Sequence, residues 1–256
     1  LLPVVFLLFI TKDLSDIFKD ISKKFLFLCF LRGISFVFMQ IFFYIAVINM
    51  NFATAITLTF SSPIFIVVLS MLLLKERIGF FRWSAIFIGF SGVLIIMNPR
   101  SELFSFFSIF PLLAALCWAI SNIVLKFIPD DISSVKINFY SLNFSYLTSI
   151  IILLLTNDFS SVQGSIHWLL MILIGILGGV ASILFSYAYR VISPSTLAPF
   201  EYLGIPSSFV LGWLFFNETP IEQLFPGVIG IVLAGFIIIW REKKLSIKTN
   251  DTKKLL

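Results

Sequence analysis

A single glutamate, Glu201, interrupts the otherwise uncharged stretch "STLAPFEYLGIPSSF", residues 195–209, and Pro199 and Pro206 stand seven residues apart around it. A carboxylate so placed can hold an ammonium group, carry a proton, or complete an ion pair. Which of these applies depends on the solvent. At depth in a bilayer a charge costs several kcal/mol unless it faces a wet cavity or a partner. Each proline removes a backbone donor and loosens a helix. The freed carbonyls are tolerated only where protein or cavity water satisfies them. The stretch therefore reads as a kinked helix facing inward, with Glu201 and its neighbour Tyr202 at the kink. Glu201 is expected to recognise an ammonium group or to serve in proton coupling. The alternative is a structural ion pair with Arg190 or Lys126.

Other polar side chains recur at helical spacing. Ala114, Trp118 and Asn122 share one face, as do Thr54, Thr57 and Ser61, and Tyr140 and Asn143. Gln40 lies one turn before Tyr44. Polar groups avoid lipid, so Glu201, Tyr202, Tyr187, Trp118, Asn122, Tyr140, Asn143, Gln40, Tyr44 and Thr57 form the candidate substrate-binding set. For each of them, hydrogen bonding between helices is the competing explanation. Gly175, Gly179 and Ser182, with Gly178 beside them, read as a close-packing face, as do Gly227, Gly230 and Gly235. Glu76 and Glu218 lie at segment ends, where capping or gating contacts suit them. Cys29 and Cys117 fall in apolar blocks and read as small buried hydrophobes. One histidine, His167, does not make a metal site, and no cofactor is implied.

The elements that position these residues follow from composition. Of the 256 residues, 59% are hydrophobic and only 12% charged, with mean hydropathy +1.08, whereas soluble domains carry about 25% charged residues. Apolar segments at roughly 1–10, 26–48, 53–74, 81–97, 106–127, 137–156, 167–189, 195–216 and 223–240 mostly reach the length that crosses about 30 Å of hydrocarbon as a helix. The fold class is all-α, a polytopic membrane helix bundle whose first partner is the lipid bilayer. Of the 18 Lys and Arg residues, all but Arg100 fall on one side when the loop "TKDLSDIFKDISKK" is placed in the cytoplasm. That orientation puts the C-terminus in the cytoplasm and explains the net charge of +5 without nucleic acid. Arg32, Lys126 and Arg190 are read as sitting toward the cytoplasmic ends, which disfavours phosphorylated substrates.

Sliding the chain by 143 residues puts Tyr44 on Tyr187, Ala55 on Ala198, Pro63 on Pro206 and Gly92 on Gly235. Five helices per half insert with opposite orientation, the inverted repeat of many secondary transporters. The same offset predicts about 40 residues and one helix ahead of Leu1, a tenth helix in the intact protein.

The ordered set "LRGISFVFMQIFFYIAVINMNFATAITLTFSSPIFIVVLSMLLLKERIGFFRWSAIFIGFSGVLIIM", "LLAALCWAISNIVLK", "SYAYRVISPSTLAPFEYLGIPSSFVLGWLFFNETP" and "GVIGIVLAGFIII" resembles the drug/metabolite transporter superfamily in its EamA-type ten-helix branch. The resemblance implies a first EamA-type repeat over 1–98 lacking its first helix, a second over 105–241, and a cytoplasmic tail over 242–256. It implies two inverted repeats around a cavity that opens alternately to each side, mostly in the bacterial inner membrane. The expected function is secondary transport of a small metabolite (amino-acid-like, amine or cofactor-like), with a proton or counter-substrate as the coupling partner. No phosphate-binding glycine loop points to ATP. A membrane-embedded enzyme needs a cluster of His, Asp, Ser or Cys near one interface, and the acids here are scattered. A degenerate remnant is the remaining alternative if the missing helix is absent in the cell.

Overall fold

A computed structural model describes residues 17–18, 21–50, 52–97, 106–156, 164–207, 210, 214 and 225–254. Every regular element among the described residues is helical. In chain order they are α1 (Lys23–Asn49), α2 (Phe52–Thr59), α3 (Ser62–Leu73), α4 (Phe80–Met97), α5 (Ile109–Ile123), α6 (Ser134–Thr156), α7 (Ser165–Val191), α8 (Pro194–Leu197) and α9 (Gly227–Lys254). Short 3₁₀ turns flank α5 at Phe106–Ser108 and Val124–Phe127. Lys23–Asn49, Ala55–Leu73, Phe106–Phe127, Ser134–Thr156 and Ser165–Val191 are long and apolar enough to cross a membrane. The molecule is a polytopic helical membrane bundle, and the large apolar side chains exposed along α6 and α7 are what such a surface presents to lipid. The segment read at 1–10 and the residue Glu218 lie outside the described residues.

Two segments differ from the sequence reading. The stretch read as a kinked helix at 195–216 begins as one α-turn, α8, and then tightens into a 3₁₀ helix over Ala198–Leu203. Pro199 has no N–H and its ring crowds the carbonyl four residues back, which disrupts the α pattern where the 3₁₀ segment begins. The charged stretch after Arg241, read as a cytoplasmic tail, continues α9 to Lys254. Its Glu, Lys and Leu residues are good helix formers, and no glycine or proline follows Gly235 to stop them.

The chain forms two compact units, each drawing on both halves of the sequence. Unit 1 comprises Leu1–Ile41 and Ile120–Ile192, and unit 2 comprises Phe42–Ala119 and Ser193–Leu256. In unit 1, α1, α6 and α7 meet through polar side chains. Arg32 donates to Asn138 Oδ1 at 3.2 Å and to Ser186 Oγ at 2.9 Å, and Ser182 donates to the same Asn138 oxygen at 2.7 Å. At one end of this unit Lys126 Nζ donates to the Arg190 carbonyl at 2.7 Å. Arg190 donates to the carbonyls of Pro129 and Ile132.

Unit 2 is organised by the pairing of α4 with α9. A Cβ added at Gly92 would stand 2.5 Å from the Gly227 carbonyl oxygen and 3.1 Å from the Ile231 nitrogen, so the two backbones touch there. Above this seam Val93, Tyr202, Ile205 and Ile231 close a buried cluster, with Phe60, Phe90 and Val228 against it. By contrast, a Cβ at Gly175 or Gly178 on α7 would meet nothing within 4 Å among the described residues. Further along the same face Gly179 is buried and Ser182 reaches Asn138 on α6, while the close packing read at Gly227 and Gly230 is found at their seam with Gly92 of α4.

Candidate functional site

The 3₁₀ segment after α8 presents Glu201, half-buried, in unit 2. Ser62 Oγ donates to its Oε2 at 2.9 Å, and Trp118 Nε1 donates to its Oε1 at 2.9 Å. Ser62 is the first residue of α3, where Pro63 starts the helix, and Trp118 comes from α5. Three separated stretches of chain thus converge on one carboxylate. Both donors are neutral, so these two bonds orient the carboxylate and leave its charge in place. Charge-assisted bonds of this kind are short and about twice as strong as neutral ones.

Just before it, the start of the same segment is anchored. Ser195 donates to Glu76 Oε2, and Arg82 Nη1 donates to Ser195 Oγ at 2.8 Å. Arg82 and Glu76 lie 3.8 Å apart. This cluster ties the loop between α3 and α4 to the turn that leads into Glu201, which agrees with the structural role expected of Glu76.

The other candidates are distributed differently. Tyr202, adjacent to Glu201, is fully buried in the apolar cluster, and its ring fills the space left by Gly89. Its hydroxyl has no hydrogen-bond partner. We therefore expect Tyr202→Phe to leave transport unchanged and thermal stability equal or slightly higher, since removing an unpaired buried hydroxyl relieves a desolvation cost of about 1–3 kcal/mol. A large loss of transport measured in that variant would make the hydroxyl a ligand group. Thr57 is buried on α2 and Tyr44 exposed on α1, both in unit 2. In unit 1, Asn122 is buried on α5, and Gln40 on α1 and Tyr187 on α7 are exposed. Asn143 donates its amide to the Phe139 carbonyl of its own helix at 2.8 Å. Tyr140 donates to the Ile17 carbonyl at 3.1 Å and packs edge-on against Phe25. Among the described residues no three His, Cys, Asp or Glu side chains cluster as a metal site would require.

The structure thus joins Glu201 to Trp118, both legible in the sequence, and adds Ser62, which the sequence reading passed over. The signal for Ser62 was its place beside Pro63, the repeat mate of Pro206. Serine is common at helix starts for capping reasons alone, so the residue type carried no chemistry by itself.

The aligned part of a riboflavin transporter from Vibrio cholerae is 33% identical over 190 residues, covering 74% of this chain and 63% of that protein. This chain therefore spans less than two thirds of that relative. An S-adenosylmethionine uptake transporter from Rickettsia conorii is 26% identical over 200 residues, covering 78% of this chain and 67% of its own length. A solved crystal structure superposes with a TM-score of 0.74 at 17% identity, over 92% of this chain and 83% of that one, a likeness of fold. The sequence model of the EamA-like transporter family matches residues 1–98 and 106–240. With nearly its whole length so matched, this chain belongs to the EamA-like transporter family, within the drug/metabolite transporter superfamily.

Proposed function

We propose that the protein is a secondary transporter of a small organic metabolite bearing a cationic group, working by alternating access, with Glu201 as the residue that receives the cation. The observation that carries this reading is the Glu201 carboxylate, held by Ser62 and Trp118 in a 3₁₀ segment between prolines. A buried acid oriented by neutral donors favours a positive guest, and a locally tightened helix is a common place for a hinge. The sequence halves 1–98 and 105–241 act as the two repeats whose rocking exposes the site to each side in turn. The membrane is the bacterial inner membrane, the C-terminus is cytoplasmic, and a proton or counter-substrate drives the cycle.

The relatives' names suggest the compounds to try. S-adenosylmethionine carries a sulfonium and an ammonium group, whereas riboflavin is neutral. In proteoliposomes containing the purified protein, labelled S-adenosylmethionine is expected to accumulate, and excess small amines to compete with it. Accumulation of riboflavin alone, without competition by amines, would overturn the cationic assignment.

A further inference from the structure

We propose that unit 1 contains a second site, for a small monovalent anion, built around Arg32. Arg32 lies nine residues beyond the first residue of α1, about 14 Å along the helix, and is only 8% exposed. Its charge is buried among α1, α6 and α7. Arg32 donates to two neutral groups, Asn138 and Ser186.

Those neighbours are already saturated. The Asn138 oxygen accepts from both Arg32 and Ser182, and its amide donates to Ser186 Oγ at 2.8 Å and to the Ser134 carbonyl at 2.8 Å. Ser186 Oγ accepts twice and donates to the Ser182 carbonyl at 2.7 Å. Nothing in the network is left to receive Arg32 Nε, which is buried without a partner. Ser141 Oγ is also buried, with the weakly hydrogen-bonding Cys29 thiol as its side-chain partner.

Arg32 and Ser141 line one small cavity, shared with Ser121, Ser145 and Ser182. It has room for about one water-sized particle. A Cβ at Gly33 would meet the Ser141 carbonyl oxygen at 2.5 Å, so the glycine lets the Ser141 turn close against α1 beside Arg32. A buried cation whose described partners are all neutral is costly unless something supplies negative charge. The unpartnered Arg32 Nε, on a residue that lines a space of one water's size, suits a halide or one oxygen of a carboxylate. A tetrahedral oxyanion is too large.

This site is independent of the transport reading, so its test uses equilibrium stability. The purified full chain is melted at fixed ionic strength while gluconate is replaced by chloride or by formate. A ligand that binds only the folded state raises the melting temperature by mass action. We expect a saturable rise of a few degrees with chloride, with formate, or with both. A response to formate alone assigns a carboxylate guest, and one to chloride assigns a halide. Arg32→Gln is expected to abolish the response and Ser141→Ala to raise the half-saturating concentration several-fold. Identical melting of the native protein in gluconate, chloride and formate would leave water as the occupant and overturn the site. So would a response that survives in both variants. If Arg32→Gln does not fold, bromide-soaked crystals of the native protein decide: an anomalous peak beside Arg32 supports the site, and none at saturating bromide overturns it.

Discussion

Replacing Glu201 by glutamine is expected to reduce substrate uptake by about 10- to 100-fold while leaving the protein folded. The size follows from the loss of charge-assisted contacts to a cationic guest, worth about 1.5–3 kcal/mol, at about 1.4 kcal/mol per tenfold. The fold survives because glutamine can keep the contacts to Ser62 and Trp118. Trp118 Nε1 can only donate, so the amide oxygen must face it, and the amide nitrogen then faces Ser62, whose hydroxyl can turn to accept. Trp118→Phe is the graded companion. It removes one donor from the carboxylate, leaves the charge, and is expected to weaken binding roughly tenfold through a cost of about 1–3 kcal/mol. The measurement is initial uptake rate in proteoliposomes, with the melting temperature recorded beside it. Native-like uptake by Glu201→Gln would reduce the glutamate to scaffold.

The second large effect concerns stability. Gly92→Ala is expected to lower the melting temperature by several degrees, and Gly175→Ala to leave it unchanged or raise it. At Gly92 the new Cβ would meet backbone atoms, the Gly227 carbonyl oxygen at 2.5 Å and the Ile231 nitrogen at 3.1 Å. Neither can rotate away as a side-chain tip can, so α4 and α9 must separate. Overpacking of this kind costs about 1–3 kcal/mol, and about 2–4 °C accompanies each kcal/mol in a chain near this size. At Gly175 an added Cβ would meet no neighbour within 4 Å among the described residues, and alanine is the better helix former by about 1 kcal/mol. The same chemical change thus has opposite expected signs on two apolar helices. Equal melting of Gly92→Ala and the native protein would show that the seam yields more readily than its backbone contacts imply.

Much of the architecture is legible in the amino-acid sequence because a bilayer imposes harsh terms. Long apolar blocks can only be helices there, and a lone acid such as Glu201 is conspicuous because its burial is so costly. Proline positions also announce where a helix must change, and Pro199 stands at the start of the 3₁₀ turn that carries Glu201. The described helices follow the apolar segments closely, with the largest departures around Pro199 and after Arg241.

What the sequence could not decide is which residues meet. Ser62, Trp118 and Glu201 are separated by tens of residues, and spacing along one helix says nothing of contacts across several. Tyr202 sat beside Glu201 and looked equally available, yet a 3₁₀ turn advances about 120° per residue instead of about 100°, and the ring lies in the apolar cluster against Gly89. Small-residue faces have the same signature whether or not another helix packs on them, so Gly175 and Gly92 could be told apart only by their neighbours. Arg32 looked like a positive charge near a helix end, and only the packing of α6 and α7 shows it buried among neutral partners. The sequence by itself determined the solvent, the class of element and the residue carrying the unusual charge. The tertiary structure alone decided the partners, because contact between distant segments depends on packing geometry that no local pattern encodes.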